Sequence, residues 1–399
     1  MTQSPYGSWP GQQGQWQAPG SANRPAWQQP ASTPGWQQPS PYQQAPSWQP
    51  APSYQPAPGS YQPPAAQQYA PGPSMVPAPP TQFGYPTGLQ PQRRRGGGSK
   101  VILAVVGIVV LLGMGIAVIN ALAGGSNQAG GYVNESYTPP APDLNPPALP
   151  TVTTVSEAKD TVANDAIYAQ TVPGPTLCQV AAIDLTTASS AELETYMTKL
   201  VGCLMTVWNQ PVTQAGFQLP RPPVLIYSAP ITTGCGKTET QNAFYCGADQ
   251  KIYYATDLPS ILPSDIQKSR FVVETIIAHE FGHAIQARTG ILIAFNGLEG
   301  NATTKAEAND WSRRGEMQAD CLSGLFIRSV SKSAGLTQQD LANVAATIRA
   351  VGDDTLSGKA DIDGNHGLAD DRQYWMQLGL ASTKVSVCNT FVAPASSVR

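Results

Sequence analysis

His279, Glu280 and His283 lie within about one turn of a predicted helix, and their side chains could bind a metal ion and use it. The surrounding run, 271–288, carries apolar residues at helical spacing. On a helix the two histidines lie about 40° apart on one face and can bind the same ion. Glu280 projects beside that face, where a carboxylate can deprotonate a metal-bound water. The alternative is an amphipathic helix with two histidines on its polar edge.

A catalytic zinc ion needs a third protein ligand and one open position for water. A common pattern places a third histidine six residues after the second, but that position is Thr289. A second predicted helix instead carries Glu316 and Asp320 on one face. Glu316 can complete a His-His-Glu site, and Asp320 can accept the remaining ring N–H of a ligating histidine. Glu299 and Glu307 stay open as alternative third ligands.

Hydrolysis at such a site also needs a donor for the oxyanion of the tetrahedral intermediate. His366, in the loop-like stretch 361–367, is a candidate for this catalytic role, and a surface turn histidine is the alternative. Arg372 and Tyr374 follow as further candidates. The run 251–256 predicts a strand that could be the sheet edge to which an extended peptide adds, or an ordinary half-buried strand.

The elements that must position these residues occupy only part of the chain. Residues 1–92 contain no Asp or Glu and are rich in Pro, Gln, Gly, Ser and Ala. Aromatic residues recur before Gln and Pro, but aliphatic residues able to form a core are scarce. The composition predicts a disordered tail, which could also be a ligand for a cytoplasmic partner that binds extended Pro-rich segments.

An apolar segment without charge, 101–123, predicts one transmembrane helix. A basic juxtamembrane segment, 93–100, precedes it, so we expect the N-terminus in the cytoplasm and the remainder outside the cell membrane. A cleaved export signal is the alternative. A Pro- and Gly-rich linker, 124–154, then leads to the predicted domain.

The predicted domain, 155–399, holds all six cysteines and all three histidines of the chain. An even number of cysteines outside a membrane predicts disulfide bonds. Six cysteines allow fifteen pairings, of which Cys235 with Cys246 closes the shortest loop. The formal charge of −3 and the absence of a basic patch argue against nucleic acid as a partner.

The domain resembles the neutral zinc metallopeptidase family in four stretches that contain the proposed site residues. These stretches are 235–254, 279–283, 316–321 and 366–391. The resemblance implies a zincin-like α+β fold, mainly helical with a small antiparallel sheet. It also implies one Zn²⁺ ion bound by His279, His283 and Glu316, with Asp320 behind the ligands.

These features predict a zinc-dependent endopeptidase, in which Glu280 activates a metal-bound water to hydrolyse peptide bonds of envelope or secreted proteins. Its partners would be a peptide or protein substrate and the membrane that its single-pass anchor spans. The alternative is a non-enzymatic, membrane-anchored envelope scaffold whose tail recruits partners. That alternative requires a structural metal with four protein ligands and no exchangeable water.

Overall fold

The computed structural model describes residues 131–399. The predicted tail (1–92), basic segment (93–100) and transmembrane helix (101–123) lie outside the described residues, as does the first part of the predicted linker. Within 131–399, no helix combines the length and the apolar character that crossing a membrane requires.

Helices make up nearly half of the described chain. They are α1 (Val155–Asn164), α2 (Ser190–Gln214), α3 (Val272–Thr289), α4 (Ile291–Gly300), α5 (Lys305–Ala334), α6 (Gln338–Ala350), α7 (Asp353–Ser357) and α8 (Ala369–Ala381). Four of them begin at a Ser or Thr whose hydroxyl accepts the backbone N–H three residues on: Thr154, Ser189, Thr304 and Thr337. Such caps satisfy N–H groups that have no partner within the helix, so the sequence itself sets these starts.

Five short strands form two small sheets. They are β1 (Val224–Tyr227), β2 (Ile231–Thr233), β3 (Gly236–Thr238), β4 (Ala243–Cys246) and β5 (Lys251–Ala255). β2 and β3 pair as an antiparallel hairpin, whereas the three-stranded sheet has the order β1-β5-β4. The mainly helical α+β class is confirmed. The larger sheet is mixed, however, because β5 pairs parallel with β1 and antiparallel with β4.

The strand predicted over 251–256 is the central strand of its sheet and cannot be a free edge. Four consecutive residues of β5, 252–255, are buried. Such a continuous run is typical of a strand covered on both faces, whereas an edge strand with one wet face alternates. The edge strand of this sheet that lies beside α3 is β4. The prediction that β5 is the edge strand was wrong.

α3 carries the His-Glu-His motif and is buried around its whole circumference. All of its residues are buried except Glu274 and Ile276. The helix begins at Val272, within the apolar run 271–288, and ends at Thr289, where Gly290 takes the left-handed conformation with φ of 86°. A helix enclosed in this way holds its polar side chains in fixed directions, which a metal site requires.

Two close approaches bring α3, α5 and α8 together. A Cβ atom on Gly282 would lie 3.0 Å from the Cα atom of Ala319 on α5, so the two helices almost touch there. On the opposite side of α5, a Cβ atom on Gly379 of α8 would overlap the carbonyl oxygen of Cys321. Glycine at both positions lets α5 lie between the other two helices at short range.

Residues 131–154, here called the strap, lie on the domain although the sequence predicts a linker for them. Arg288 of α3 donates from Nη1 to the carbonyl oxygen of Pro147 at 2.8 Å, and the N–H of Asp143 donates to the carbonyl oxygen of Arg221 at 2.9 Å. The N–H of Val133 likewise donates to the carbonyl oxygen of Pro175 at 2.9 Å. The ordered structure therefore begins well before residue 155.

The six cysteines form three disulfide bonds. The pairs are Cys178–Cys203, Cys235–Cys246 and Cys321–Cys388. The shortest closure is thus formed, as expected from its loop length. The pair between Cys321 and Cys388 connects α5 to the C-terminal segment, and both residues are fully buried.

Candidate metal centre

Three potential ligand side chains meet where α3 crosses α5. The Nε2 atoms of His279 and His283 are 3.1 Å apart. Glu316 places Oε2 at 3.3 Å from Nε2 of His279 and Oε1 at 3.6 Å from Nε2 of His283. All three residues are buried, and within 131–399 they are the one set of His, Cys, Asp and Glu side chains arranged to hold a metal ion.

These separations fit a tetrahedral zinc ion. Zinc binds imidazole nitrogen and carboxylate oxygen at about 2.0–2.2 Å, so neighbouring ligand atoms of a tetrahedron lie about 3.3–3.5 Å apart. The separations of 3.1, 3.3 and 3.6 Å lie close to that value, the last two being to Oε2 and Oε1 of Glu316 respectively. Two imidazoles and a carboxylate whose acceptor atoms converge in this way repel one another unless a metal ion or a proton lies between them. The donor set therefore matches zinc in both distance and ligand type.

Asp320 fixes the orientation of His279 from behind. Its fully buried carboxylate accepts from Nδ1 of His279 at 2.7 Å. An ionised carboxylate can only accept, so Nδ1 carries a ring proton and Nε2 is the atom that can bind a metal. Burial alone would lower the pKa of His279, but Asp320 and the neighbouring carboxylates raise it to about 10 in the metal-free protein.

Arg372, a candidate oxyanion donor from the sequence, lies behind Asp320 instead. It donates from Nε to Oδ2 of Asp320 at 2.8 Å and from Nη2 to Oδ1 at 3.0 Å. Although burial opposes its charge, Asp320 holds the pKa of Arg372 above its usual value. Its guanidinium neutralises the buried aspartate and is not free to bind an oxyanion.

Tyr374, the other further candidate for the oxyanion donor, lies at the surface. Its side chain is 37% exposed, and its ring contacts Trp375 edge-on at a centroid distance of 5.7 Å. Helix α8 directs Arg372 inwards toward Asp320, and a residue two positions later on a helix faces away from it. The prediction that Tyr374 could serve the site is not supported by its position.

His283 is held by a residue that the sequence interpretation did not assign to the site. Its Nδ1 lies 2.8 Å from Oε1 of Gln286, one turn further along α3. Burial lowers the pKa of His283 to about 4, so the ring stays neutral at physiological pH. The spacing of three residues was a signal for this contact, but a glutamine at that spacing has many other possible partners.

Glu280 points at the free edge of the sheet. Its Oε2 accepts the backbone N–H of Tyr245 on β4 at 2.8 Å. Burial raises the pKa of Glu280 to about 8 in the metal-free protein, with His279 opposing the shift. A carboxylate with a raised pKa near neutrality is suited to accept and return a proton.

Glu316 is the acidic residue that lies beside the two histidines. The alternative third ligands, Glu299 and Glu307, do not lie beside both histidines. Although burial opposes ionisation, His283 and His279 hold the pKa of Glu316 below its usual range. Glu307 is exposed at the start of α5 and accepts from Thr303. Glu299, at the end of α4, is half-buried, and burial together with the charge of Glu316 raises its pKa to about 7.

His366 lies outside the group of ligands, in the loop between α7 and α8. Its backbone N–H donates to Oδ2 of Asp353 at 2.8 Å, and its Nδ1 lies 3.4 Å from Oδ1 of the same residue. The side chain is 22% exposed. An electrostatic interaction with His366 also lowers the pKa of Glu316.

The fold and the site define an α+β domain with a candidate zinc centre built from two crossing helices. A family described as "Putative neutral zinc metallopeptidase" matches residues 161–391. The match spans more than half of the chain and includes every residue of the centre. The chain belongs to this family.

Two bacterial proteins are similar to this chain in sequence. The uncharacterised protein YpfJ of Escherichia coli K12 is 33% identical over 194 residues, which cover 46% of this chain and 66% of YpfJ. The uncharacterised protein Rv2575 of Mycobacterium tuberculosis is 31% identical over 192 residues, which cover 43% of this chain and 63% of Rv2575. The match thus spans slightly less than two thirds of each relative. No solved structure matches the chain.

Proposed function

We propose that this protein is a zinc-dependent endopeptidase that hydrolyses peptide bonds of envelope or secreted proteins. The observation that carries the proposal is the tetrahedral spacing of His279, His283 and Glu316 around a position that Glu280 flanks. One Zn²⁺ ion bound there would supply a Lewis acid and lower the pKa of a water molecule. Three protein ligands leave the fourth position open for that water.

Glu280 acts as general base and then as general acid. Its carboxylate takes a proton from the attacking water and delivers it to the leaving amine. The neutral backbone N–H of Tyr245 orients the carboxylate at 2.8 Å without fixing its charge, so both protonation states are accessible. Buried surroundings and a raised pKa favour this exchange near neutral pH.

An extended peptide substrate adds to the free edge of β4. This edge runs beside Glu280, and Tyr245 directs its N–H away from β5 and toward the site. Main-chain groups of a peptide can pair with those of a strand whose outer edge is unpaired, so binding would be largely independent of side-chain identity. The scissile bond would then lie between β4 and the two histidines.

His366 stabilises the oxyanion of the tetrahedral intermediate. Asp353 holds its backbone and ring, and its partly exposed imidazole lies near Glu316. A histidine held in this way can donate a hydrogen bond to charge that develops on the carbonyl oxygen. Replacing His366 should lower kcat and leave zinc binding intact.

The segment 101–123 anchors the domain to the outer side of the cell membrane, and the tail 1–92 stays in the cytoplasm. Three disulfide bonds within 131–399 support an oxidising compartment for the domain. The full chain should sediment with membranes and require detergent for release, whereas a chain lacking 101–123 should stay in the supernatant. Sedimentation of both chains would contradict the anchor.

The enzyme proposal is tested by metal analysis and digestion of a broad peptide library with the full chain. We expect one zinc ion per chain, cleavage that a chelator abolishes, and recovery when zinc is added back. Cleavage that survives complete removal of the metal would contradict the proposal. Bound zinc without any cleavage would instead favour the scaffold function.

A further inference from the structure

Gln286 has an unusually well-defined position for an amide side chain. It is fully buried on α3, and its Oε1 lies 2.8 Å from Nδ1 of His283. Its Nε2 donates to the carbonyl oxygen of Gly315 at 2.8 Å and to Oε1 of Gln318 at 3.0 Å. Both partners lie on α5, the helix that also carries the carboxylate of the metal site.

These contacts allow only one orientation of the Gln286 amide. A flipped amide would place its oxygen against the carbonyl oxygen of Gly315, which cannot donate a hydrogen bond. It would also place its NH₂ group against His283. Gln318 is oriented in turn, because its own Nε2 donates to the hydroxyl of Tyr168 at 2.8 Å and to the carbonyl oxygen of Cys388 at 3.1 Å. The chain of hydrogen bonds thus ends on backbone carbonyl groups that have a fixed polarity.

We infer that Gln286 is a positioning residue that holds His283 in the Nδ1–H tautomer, with the lone pair of Nε2 directed at the metal. The amide oxygen of Gln286 can only accept, so the proton between the two side chains belongs to the ring. A neutral imidazole protonated on Nδ1 has its lone pair on Nε2, the atom that lies 3.1 Å from its counterpart on His279. The inference rests on the proposed zinc site and extends it beyond the residues that contact the metal.

The two histidine ligands are thereby held by different chemistry. His279 donates to the carboxylate of Asp320, and His283 donates to a neutral amide. A carboxylate partner makes an imidazole a more basic ligand, whereas an amide fixes the ring without adding charge. One further anionic carboxylate near the ion would bind zinc more tightly but weaken it as a Lewis acid. Gln286 orients the ring and avoids that extra charge.

Two substitutions separate orientation of the ring from general packing. Gln286→Met keeps the side-chain volume and removes the strong acceptor, so zinc affinity should fall about 10- to 100-fold. Gln286→Glu keeps an acceptor for His283 and loses the donor to Gly315 and Gln318. We expect the Glu variant to bind zinc at least as tightly as the wild type, although its thermal unfolding temperature falls.

Thr275→Val is the matched control. Thr275 is fully buried on the same helix, and its hydroxyl donates to the backbone of Phe271 without contacting a ligand. The control should lose thermal stability and keep wild-type zinc affinity. If Gln286→Met does not fold, Gln286→Asn replaces it, because the shorter side chain keeps a polar amide but withdraws the acceptor from Nδ1 of His283, which should weaken zinc binding about 10-fold.

Zinc affinity is measured on the full chain by competition with a chromogenic chelator, and thermal unfolding is followed in parallel. The inference is overturned if wild-type chain binds zinc and Gln286→Met binds it equally well. It is also overturned if the Met and Glu variants lose zinc affinity to the same extent, since that result indicates packing alone. A wild-type chain that binds no zinc would refute the proposed metal site itself, and the inference with it.

Discussion

Several side chains of the candidate centre are fixed by a partner on a different element. His279 is held by Asp320, Asp320 by Arg372, and Glu280 by the backbone of Tyr245. Polar groups buried in this way lose their hydration, so each needs a hydrogen bond or an opposite charge to offset the cost. The result is a site whose geometry is set before any metal or substrate binds.

Glu299 is the carboxylate near this site whose charge is poorly compensated. Its pKa is raised to about 7 by burial and by Glu316, so the folded state holds a proton that the unfolded chain releases near pH 4.5. The contribution of Glu299 to the free energy of unfolding is therefore most favourable at low pH, and it is lost as the pH rises toward 7. In chelator-treated protein, Glu299→Gln should raise the free energy of unfolding at pH 8 by about 1–3 kcal/mol and change it little at pH 4.

Denaturant unfolding of wild type and Glu299→Gln at both pH values measures this difference. Added zinc should diminish the difference in unfolding free energy between the two proteins, because a cation at Glu316 offsets the repulsion between Glu316 and Glu299. Glu299→Gln should also retain its zinc, whereas Glu316→Gln should lose it. Loss of zinc from the Glu299 variant would restore Glu299 as a ligand and contradict the assignment of Glu316.

Residue spacing in the sequence was sufficient for the part of the centre that lies on single helices. His279 and His283 are one turn apart, as are Glu316 and Asp320, so their shared faces follow from helix geometry. Arg372 and Gln286 were not assigned to their actual roles. Asp320, the partner of Arg372, and Gly315 and Gln318, which orient Gln286, lie across helix crossings. The distance and angle of a crossing depend on packing that a single sequence does not specify.

Helices α3 and α5 must cross closely for the ligands to converge. Gly282 allows this, because any larger side chain would meet the backbone of Ala319. Gly282→Val should therefore push the helices apart, cost about 1–3 kcal/mol of stability and weaken zinc binding, since the histidines move away from Glu316. Gly300→Ala is the control, because a Cβ atom there meets nothing within 4 Å.

Thermal unfolding and zinc titration of these two variants measure the effect. Gly300→Ala should be neutral or slightly stabilising, because alanine favours the helix by up to about 1 kcal/mol over glycine. Wild-type zinc affinity in Gly282→Val would show that the crossing does not set the ligand spacing.

The order of strands could not be deduced from their sequences. β5 was recognised as a strand, but its place in the centre depends on β1, which is separated from it by the hairpin of β2 and β3. Parallel pairing across such a crossover follows from three-dimensional packing and leaves only an indirect trace in the sequence.

At the scale of the whole molecule, the strap connects the predicted membrane segment to the helix that carries the motif. Arg288, 6% exposed, donates to the carbonyl oxygens of Pro147 and Ala148 and to that of Gln218. The strap was predicted as a linker because its Pro and Gly content excludes regular secondary structure. Such a segment can still be ordered when its carbonyl groups satisfy a buried cation.

A chain that begins at residue 155 should be less stable than one that begins at 131. Removal of the strap leaves donors of Arg288 without partners, which costs about 1–3 kcal/mol in addition to the lost packing. Comparison of the thermal unfolding temperatures of chains 131–399 and 155–399 measures this cost. Equal temperatures would indicate that the strap only rests on the surface.

The central claim is that His279, His283 and Glu316 hold a catalytic zinc whose water Glu280 activates. Glu280→Gln tests it most directly, because the substitution removes the base and leaves all three ligands in place. Zinc content and peptide hydrolysis should be measured on the same preparation of the full chain. We expect one zinc ion per chain, as in the wild type, and a fall in kcat of at least about 100-fold. Hydrolysis at the wild-type rate by the zinc-loaded variant would contradict the account.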